Sequence, residues 1–182
     1  DFLANCGADI IKVGIGGGSV CSTRIKTGFG VPNLTAIQDC AKVDRSIVAD
    51  GGIKAARDIV KALAFGADLV MIGGMLAGTG PTPGEIVTHP DGSQTKMYRG
   101  MASLEAQADF MGGLSDWKTA EGVATHVKAC QNENEIIADI IGGLRSGLTY
   151  GGSETIRELQ RKVTYVEVSQ AGRVESLPHK TL

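Results

Sequence analysis

Short runs of β-branched and other apolar residues alternate with amphipathic stretches along the first part of this chain. Each run has the length and composition of a buried strand, and each amphipathic stretch has the period of a helix. The predicted order is a helix end at Phe2–Asn5, a strand at Ile10–Val13, a helix over 34–42, a strand over 46–49, a helix over 55–65 and a strand over 69–72. This alternation predicts an α/β protein with a parallel sheet and crossover helices.

The pattern changes after residue 79, where proline and glycine interrupt the chain. Two alternating segments, 85–88 and 95–98, flank an Asp-Gly pair, which predicts a β-hairpin. A helix over 104–110 leads into 112–122, a polar segment with the only tryptophan, which is typical of a mobile flap. The last third is predicted to hold helices over 133–145 and 154–162, a strand over 165–169 and a polar tail.

The most unusual segment is the connection over residues 14–30, which reads GIGGGSVCSTRIKTGFG. Its glycines let the backbone approach a ligand, and consecutive backbone N–H or C=O groups in such loops hold a phosphate or a cation. Cys21 follows the glycines, with Arg24 and Lys26 close in sequence, and cations of that kind favour the nucleophilic thiolate. We therefore expect a reactive Cys21, the alternative being a small buried residue.

Two common phosphate motifs do not fit this loop. The dinucleotide fingerprint needs a third glycine that opens a helix, but Ser19 stands there and the CSTRIKTG that follows is predicted to be non-helical. The nucleoside triphosphate loop needs Gly-Lys-Ser/Thr at its end, which this loop lacks. After the loop, Asn33 is placed to cap the next helix.

Glycine pairs also follow the second and third predicted strands, at Gly51-Gly52 and Gly73-Gly74. The carboxyl ends of parallel strands meet at one edge of a sheet, which is where ligands bind in such folds. We therefore expect a phosphate cradle at this edge. Asp50 would project there too, either to hold ribose hydroxyls or simply to form the turn.

The composition is that of an ordinary globular protein. The 182 residues are 42% hydrophobic with a formal net charge of −2, which gives no reason to expect nucleic acid or a membrane as a partner. The cysteines show no paired or zinc-type spacing, which favours free thiols and a cytoplasmic protein. The start without methionine favours a piece of a longer polypeptide. We expect packing roles for three cysteines (Cys6, Cys40, Cys130) and solvated loop positions for the histidines (His89, His126, His179).

Six segments in order resemble the family of IMP dehydrogenase and GMP reductase: VGIGGGSVCSTRIKTGFGVPNLTAI, VADGGI, IGGMLAGT, YRGMAS, GGLRSGLTY and AGRVESLPH. The resemblance covers nearly the whole chain. It implies the C-terminal portion of a (β/α)8 TIM barrel, with 1–182 as a single catalytic domain and about 79–122 as its hairpin excursion and active-site flap. It also implies a purine nucleotide monophosphate as substrate and a homotetramer.

The resemblance further implies a role for individual residues. Cys21 would attack the purine ring, and Thr23 and Glu121 would complete the catalytic set. Potassium would be ligated by the backbone carbonyls of Gly16, Gly18, Cys21 and Arg24. The substrate would be bound by Ser19, Asp50, Gly51, Gly52, Gly73, Gly74, Gly100, Met101, Lys118 and Gly122. The cofactor NADPH would be bound by Trp117, Lys118, Ser146, Gly147 and Thr149.

Within the family, the short flap favours the reductase. Dehydrogenases are expected to carry a long flap with an Arg-Tyr pair that activates water, whereas residues 102–120 contain neither arginine nor tyrosine. The resemblance therefore implies NADPH-dependent reductive deamination of GMP to IMP and ammonia through a covalent cysteine–purine intermediate. Two alternatives stay open, an IMP dehydrogenase that oxidises IMP to XMP with NAD and an enzyme for a modified purine nucleotide. Ala102, Lys118 and Ala120 depart from the reductase pattern, and GGLRSGL and AGRVESLPH resemble the dehydrogenase branch.

Overall fold

A three-stranded parallel sheet forms the first part of the molecule. The computed structural model describes residues 1–129 and 132–178. Within it, β1 (Ile10–Val13), β2 (Ser46–Asp50) and β3 (Leu69–Met71) lie side by side in that order. Both strand pairs are parallel, with Ile11 opposite Ile47 in the first pair. The α/β alternation predicted for this region is confirmed.

Helices cover one face of this sheet. These helices are α1 (Phe2–Asn5), α3 (Asn33–Cys40) and α4 (Ala56–Ala64), and α3 and α4 pack against the strands. Strand β1 alternates between exposed and buried residues because only one of its faces is covered. Ile47 is 1% exposed, and burial of such a side chain contributes about 1.5–3 kcal/mol. The core beneath the helices consists of Ile11, Val13, Ile37, Ile47, Ala49, Ala62 and Ala67.

A second, antiparallel sheet holds β4 (Ile86–Thr88), β5 (Gln94–Arg99) and β6 (Ala124–Lys128) in that order. The predicted hairpin is therefore present as β4 and β5. At its turn, the Asp91 carboxylate accepts hydrogen bonds from the Ser93 hydroxyl and the Ser93 backbone N–H, which lower the pKa of Asp91. Strand β6 was not predicted, because its mixed polar sequence becomes a strand only by pairing with β5.

The second sheet is tied to the preceding loop by a buried lysine. Lys96 on β5 is 3% exposed. Its ammonium group donates to the backbone carbonyls of Thr79 at 3.0 Å and Thr82 at 2.6 Å. Charge-assisted hydrogen bonds are the stronger ones in proteins, so Lys96 holds the loop over 79–82 against the hairpin.

The remaining helices are α2 (Thr23–Thr27), α5 (Leu104–Met111), α6 (Glu133–Tyr150), α7 (Ile156–Lys162) and α8 (Gln170–Glu175). Four of them begin after a residue whose side chain accepts a hydrogen bond from a backbone N–H of the first turn: Ser103, Asn132, Thr155 and Ser169. Such caps stabilise a helix start by satisfying one of its free donors. Along the described ranges, the helices are too short or too polar to cross a membrane.

Two helices correct the sequence prediction. The segment after Ser19, expected to be non-helical, contains α2, which ends at Gly28 in the left-handed conformation that favours glycine. The helix predicted over 133–145 continues to Tyr150. Its glycines do not end it, because Gly143 and Gly147 are the positions where α6 approaches α4 closely.

One further prediction was wrong. The segment 165–169 is not a strand, and the Tyr165 ring instead packs on Phe65 with ring centroids 4.7 Å apart. The polar tail, for which no element was predicted, contains α8. A strand exists only where a neighbouring strand supplies hydrogen bonds, and local sequence does not reveal that neighbour.

The adjacent glycines of α6 offer a matched test of this packing. A Cβ added at Gly143 would lie 2.3 Å from the Ala56 Cβ, whereas one added at Gly142 would meet nothing within 4 Å. Gly143→Ala should therefore lower the free energy of unfolding by about 1–3 kcal/mol through overpacking. Gly142→Ala should raise it by about 0.5–1 kcal/mol through helix propensity. Urea unfolding of both variants checks the opposite signs, and equal shifts would contradict the α4–α6 contact.

Candidate active site

The cysteine loop is joined to the end of the flap by backbone hydrogen bonds. The Ser22 N–H donates to the Glu121 carbonyl at 2.8 Å, and the Val123 N–H donates to the Val20 carbonyl at 2.9 Å. Cys21 and Gly122 consequently form an isolated antiparallel bridge. This pairing brings together two segments that are far apart in sequence at the carboxyl end of β1.

Three predicted catalytic side chains form a hydrogen-bonded chain. The Cys21 Sγ lies 3.2 Å from the Thr23 Oγ1, and the Thr23 hydroxyl donates to the Glu121 Oε2 at 2.8 Å. All three side chains are partly buried. A carboxylic group linked to a sulfur through one hydroxyl can move a proton to or from a group bound at the sulfur.

A cavity of about 220 Å³ lies where the three strands end. Its walls include glycines from all three strand ends, as the phosphate-cradle prediction requires. The Tyr98 hydroxyl lies 3.2 Å from the Ser19 Oγ across this cavity. The lining residues are Gly17, Gly18, Ser19, Asp50, Gly51, Gly52, Ile53, Lys54, Met71, Ile72, Gly73, Gly74 and Tyr98.

Tyr98 was not among the predicted site residues. A Cβ on Gly73 would lie 2.9 Å from the Tyr98 hydroxyl, and a Cβ on Gly74 would lie 2.9 Å from the Ser19 Oγ. A side chain at either position would therefore displace one hydroxyl of this pair. The signal in the sequence was the motif YRGMAS, in which Tyr98 directly precedes the segment that returns to the site.

Asp50 stands at the end of β2 beside the cavity, as predicted. Its carboxylate forms an ion pair with Lys12 of β1. Lys12 was not predicted as a site residue, because a lone lysine in a strand gives no local signal of its partner. The ion pair holds the Asp50 carboxylate at the strand edge.

The predicted base contacts lie beside the cysteine loop. A Cβ on Gly100 would lie 3.0 Å from the Val20 carbonyl, and one on Gly122 would lie 2.9 Å from the Ser103 N. Neither position has room for a side chain. Met101, which follows Gly100, is 71% exposed, so its side chain is free to contact a ligand.

The flap presents an exposed aromatic ring. Trp117 is 81% exposed, and the Lys118 ammonium lies 4.7 Å from the ring centroid. An aromatic face next to a cation fits a ligand that has both a flat ring and phosphate groups. These two residues therefore fit the predicted contact with a dinucleotide.

The other predicted cofactor residues lie toward the end of the sheet where the strands begin, opposite to the end that carries Cys21. Gly147 packs on Val60 of α4, and the Thr149 hydroxyl donates to the Arg145 carbonyl within α6. The large cavity beside Gly147 is also lined by Asp9 and Asp68, which precede β1 and β3. Gly147, with Ser146 and Thr149 beside it on α6, therefore lies toward the strand ends opposite to those that carry Cys21.

The Arg24 side chain makes its hydrogen bonds within the loop and to Asn33. Its guanidinium donates to the Ile15 carbonyl at 3.2 Å, the Val31 carbonyl at 2.8 Å and the Asn33 Oδ1 at 3.1 Å. The prediction that Asn33 caps α3 was wrong, since its side chain makes no cap hydrogen bond. The Asn33 amide donates instead to the Asp50 and Gly51 carbonyls.

The carbonyls predicted to ligate potassium retain acceptor capacity. The Gly18 and Arg24 carbonyls accept one backbone N–H each, from Cys21 and Gly28. A carbonyl oxygen has two lone pairs, so each keeps one for a cation. Oxygen donors suit a hard cation, so the Gly18 and Arg24 carbonyls keep the acceptor capacity that the predicted potassium site would use.

The histidines differ in part from the prediction. His89 and His126 flank the Thr95 hydroxyl, at 2.9 and 3.2 Å, and His126 lies on β6 rather than in a loop. Cys6 is exposed, so its expected packing role was wrong, whereas Cys40 is half-buried against the core. Cys130 and His179 lie outside the described residues.

A parallel α/β sheet with a cysteine loop and a glycine-lined cavity at its carboxyl edge is the arrangement of α/β enzymes that bind ligands at strand ends. The particular family follows from comparison with known proteins. Residues 1–179 match the family model of the IMP dehydrogenase / GMP reductase domain. The chain belongs to this family.

Relatives from both branches are similar to the chain. It is 42% identical to inosine-5′-monophosphate dehydrogenase of Nitrosopumilus maritimus, over 99% of this chain and 40% of that protein. It is 44% identical to human GMP reductase 2, over 90% of this chain and 48% of that protein. The chain thus spans less than half the length of these relatives.

Two solved structures are also similar. Inosine 5′ monophosphate dehydrogenase from Legionella pneumophila is 73% identical, with a TM-score of 0.81 over 95% of this chain and 54% of that one. GMP reductase from Trypanosoma brucei in complex with guanosine 5′-monophosphate is 39% identical, with a TM-score of 0.90 over 99% of this chain and 38% of that one. Between these two structures the identity is higher for the dehydrogenase, whereas the two relatives named above are about equally identical to the chain.

Proposed function

We propose that this chain carries the active site of a GMP reductase, which converts GMP and NADPH to IMP, ammonia and NADP⁺. The observation that supports it best is the chain of hydrogen bonds from Cys21 through Thr23 to Glu121. Expelling ammonia needs a proton donor, and these hydrogen bonds can deliver a proton to a group bound at the Cys21 sulfur. The segment 102–120 lacks the arginine and tyrosine that water activation in a dehydrogenase would use.

In the proposed reaction, the Cys21 sulfur forms a bond to the purine carbon that carries the amino group. The carbon–nitrogen bond then breaks, and the leaving nitrogen takes a proton delivered along Glu121 and Thr23. Ammonia departs, and the purine remains linked to Cys21. Release of IMP later restores the Cys21 thiolate, so the cysteine is unchanged after each turnover.

Two further groups would complete the site. NADPH, when bound, would supply the hydride that takes the place of the Cys21 sulfur on this carbon, and the exposed Trp117 and Lys118 would hold it. Ser146, Gly147 and Thr149 would contribute from a neighbouring subunit of the proposed homotetramer, because they lie toward the end of their own sheet opposite to Cys21. Potassium would be held by the backbone carbonyls of the cysteine loop.

The substrate would lie with its phosphate in the cavity at the strand ends. Ser19, Gly51, Gly52, Gly73 and Gly74 line that cavity, and backbone N–H groups of such turns bind phosphate. Asp50 would hold the ribose hydroxyls, and Gly100, Met101, Lys118 and Gly122 would surround the base. We also propose that β1, β2 and β3 are three strands of a (β/α)8 barrel, as the family and the similar structures favour.

IMP dehydrogenase is the second candidate function. The 73% identity to a solved structure of that name favours it. In that reaction the same Cys21 adduct would be hydrolysed, and a base outside 102–120 would have to activate the water.

The test incubates the full-length protein with potassium in two reactions, one with GMP and NADPH and the other with IMP and NAD. The absorbance of the reduced nicotinamide is followed in each. We expect consumption of NADPH in the first alone. Production of NADH in the second reaction alone would show that the protein is a dehydrogenase and not a reductase. Turnover in neither would overturn both.

A further inference from the structure

Two side chains connect the cysteine loop to the neighbouring strand end. Arg24 of α2 donates to the Ile15 and Val31 carbonyls and to the Asn33 side chain. The Asn33 amide in turn donates to the Asp50 carbonyl at 3.0 Å and to the Gly51 carbonyl at 2.6 Å. One continuous network therefore runs from the helix after Cys21 to the turn after β2.

The glycines around this network are packed against it. A Cβ on Gly16 or Gly30 would lie 2.5 or 2.6 Å from the Arg24 side chain. A Cβ on Gly17 would lie 2.5 Å from the Asn33 amide nitrogen, and one on Gly51 would lie 3.1 Å from the same atom. Part of the glycine richness is thus explained by contact with two side chains rather than by contact with a ligand.

The network has a defined position relative to the cavity. Gly17 and Gly51 both line the cavity at the strand ends and both touch Asn33. Asn33 itself lies behind this wall rather than among the lining residues. Asn33 therefore donates to one wall of the proposed phosphate site, at Asp50 and Gly51, and packs against the other at Gly17, without lining the cavity.

We propose that Asn33, supported by Arg24, is a positioning residue that couples phosphate binding to placement of the Cys21 loop. This inference rests on the proposed function, because it takes the cavity as the phosphate site. Asn33 supplies two N–H donors to the turn and one oxygen to Arg24. Arg24 is exposed to solvent, so the larger part of the coupling is assigned to Asn33.

The test compares binding of GMP and of guanosine, which lacks the phosphate, to the full-length protein by calorimetry. Asn33→Ala should weaken GMP binding about tenfold or more, because two donors to the cavity wall are lost. The affinity for guanosine should stay within about twofold of the wild type. The ratio of the GMP affinity to the guanosine affinity should therefore fall. Asn33→Asp should behave alike, since a carboxylate cannot donate to the two carbonyls.

Asn134→Ala serves as the matched control, because Asn134 is exposed on α6. Its preference for GMP over guanosine should equal that of the wild type. An unchanged preference in both Asn33 variants would overturn the inference and leave the proposed function standing. A wild-type protein that binds neither GMP nor IMP would overturn both, and equal weakening of GMP and guanosine would reduce Asn33 to a general structural role.

Discussion

Replacing Cys21 with alanine should abolish turnover, with a loss of at least about a thousandfold in kcat. The sulfur is the atom that would form the covalent bond to the purine, and neither Thr23 nor Glu121 can take its place as a nucleophile of equal strength. Nucleotide binding should stay within about threefold of the wild type, since the cavity at the strand ends does not include the Cys21 side chain. Steady-state kinetics and calorimetry measure the two effects separately.

Cys6→Ala provides the control for this variant. Cys6 is an exposed free cysteine beyond the end of α1, so its loss should leave kcat unchanged. Mass spectrometry of wild-type protein mixed with GMP should detect a purine adduct on Cys21 and none on Cys6. Normal turnover by Cys21→Ala would rule out covalent catalysis for both the reductase and the dehydrogenase.

Removing the proton path should give the second largest effect. Thr23→Val keeps the shape of the side chain but loses the hydroxyl that lies between Cys21 and Glu121. We expect kcat for GMP to fall by about 10²–10⁴-fold, the range of a general acid contribution. Glu121→Gln should lower kcat for GMP by a factor in the same range, because the amide cannot supply the proton. Thr23→Ser should retain most of the activity, since it keeps the hydroxyl.

The control for this pair is Thr125→Val on β6, an exposed threonine that takes no part in the hydrogen bonds of Cys21, Thr23 and Glu121. It should have wild-type kcat. Turnover of GMP with NADPH can also be compared with turnover of IMP with NAD in the same variant. Only the first reaction releases ammonia, so only that reaction should depend on the proposed proton path. If Thr23→Val reduced turnover of IMP with NAD and spared turnover of GMP with NADPH, the assignment of the pair to ammonia release would be wrong.

The order of strands and helices around the parallel sheet was predictable because it depends on local patterns. The β-branched runs, the glycine pairs that end them and the Asp-Gly turn each carry their signal within a few residues. The placement of the cavity at the strand ends follows from the same pattern, since parallel strands bring their carboxyl ends together. The prediction failed for α2, for the end of α6 and for 165–169, where tertiary contacts decide the conformation.

The sequence by itself determined the alternation of elements, the cysteine within a glycine-rich loop and, by resemblance, the family. Only the tertiary structure decided which side chains meet. Thr23 and Glu121 are 98 residues apart, and their contact depends on the pairing of the cysteine loop with the segment that follows the flap. Tyr98 with Ser19, Lys12 with Asp50 and Asn33 with Gly51 are likewise contacts between separate elements. A local sequence pattern indicates which residues of one segment are buried. The side chain that each site residue contacts depends on how the sheets and loops pack.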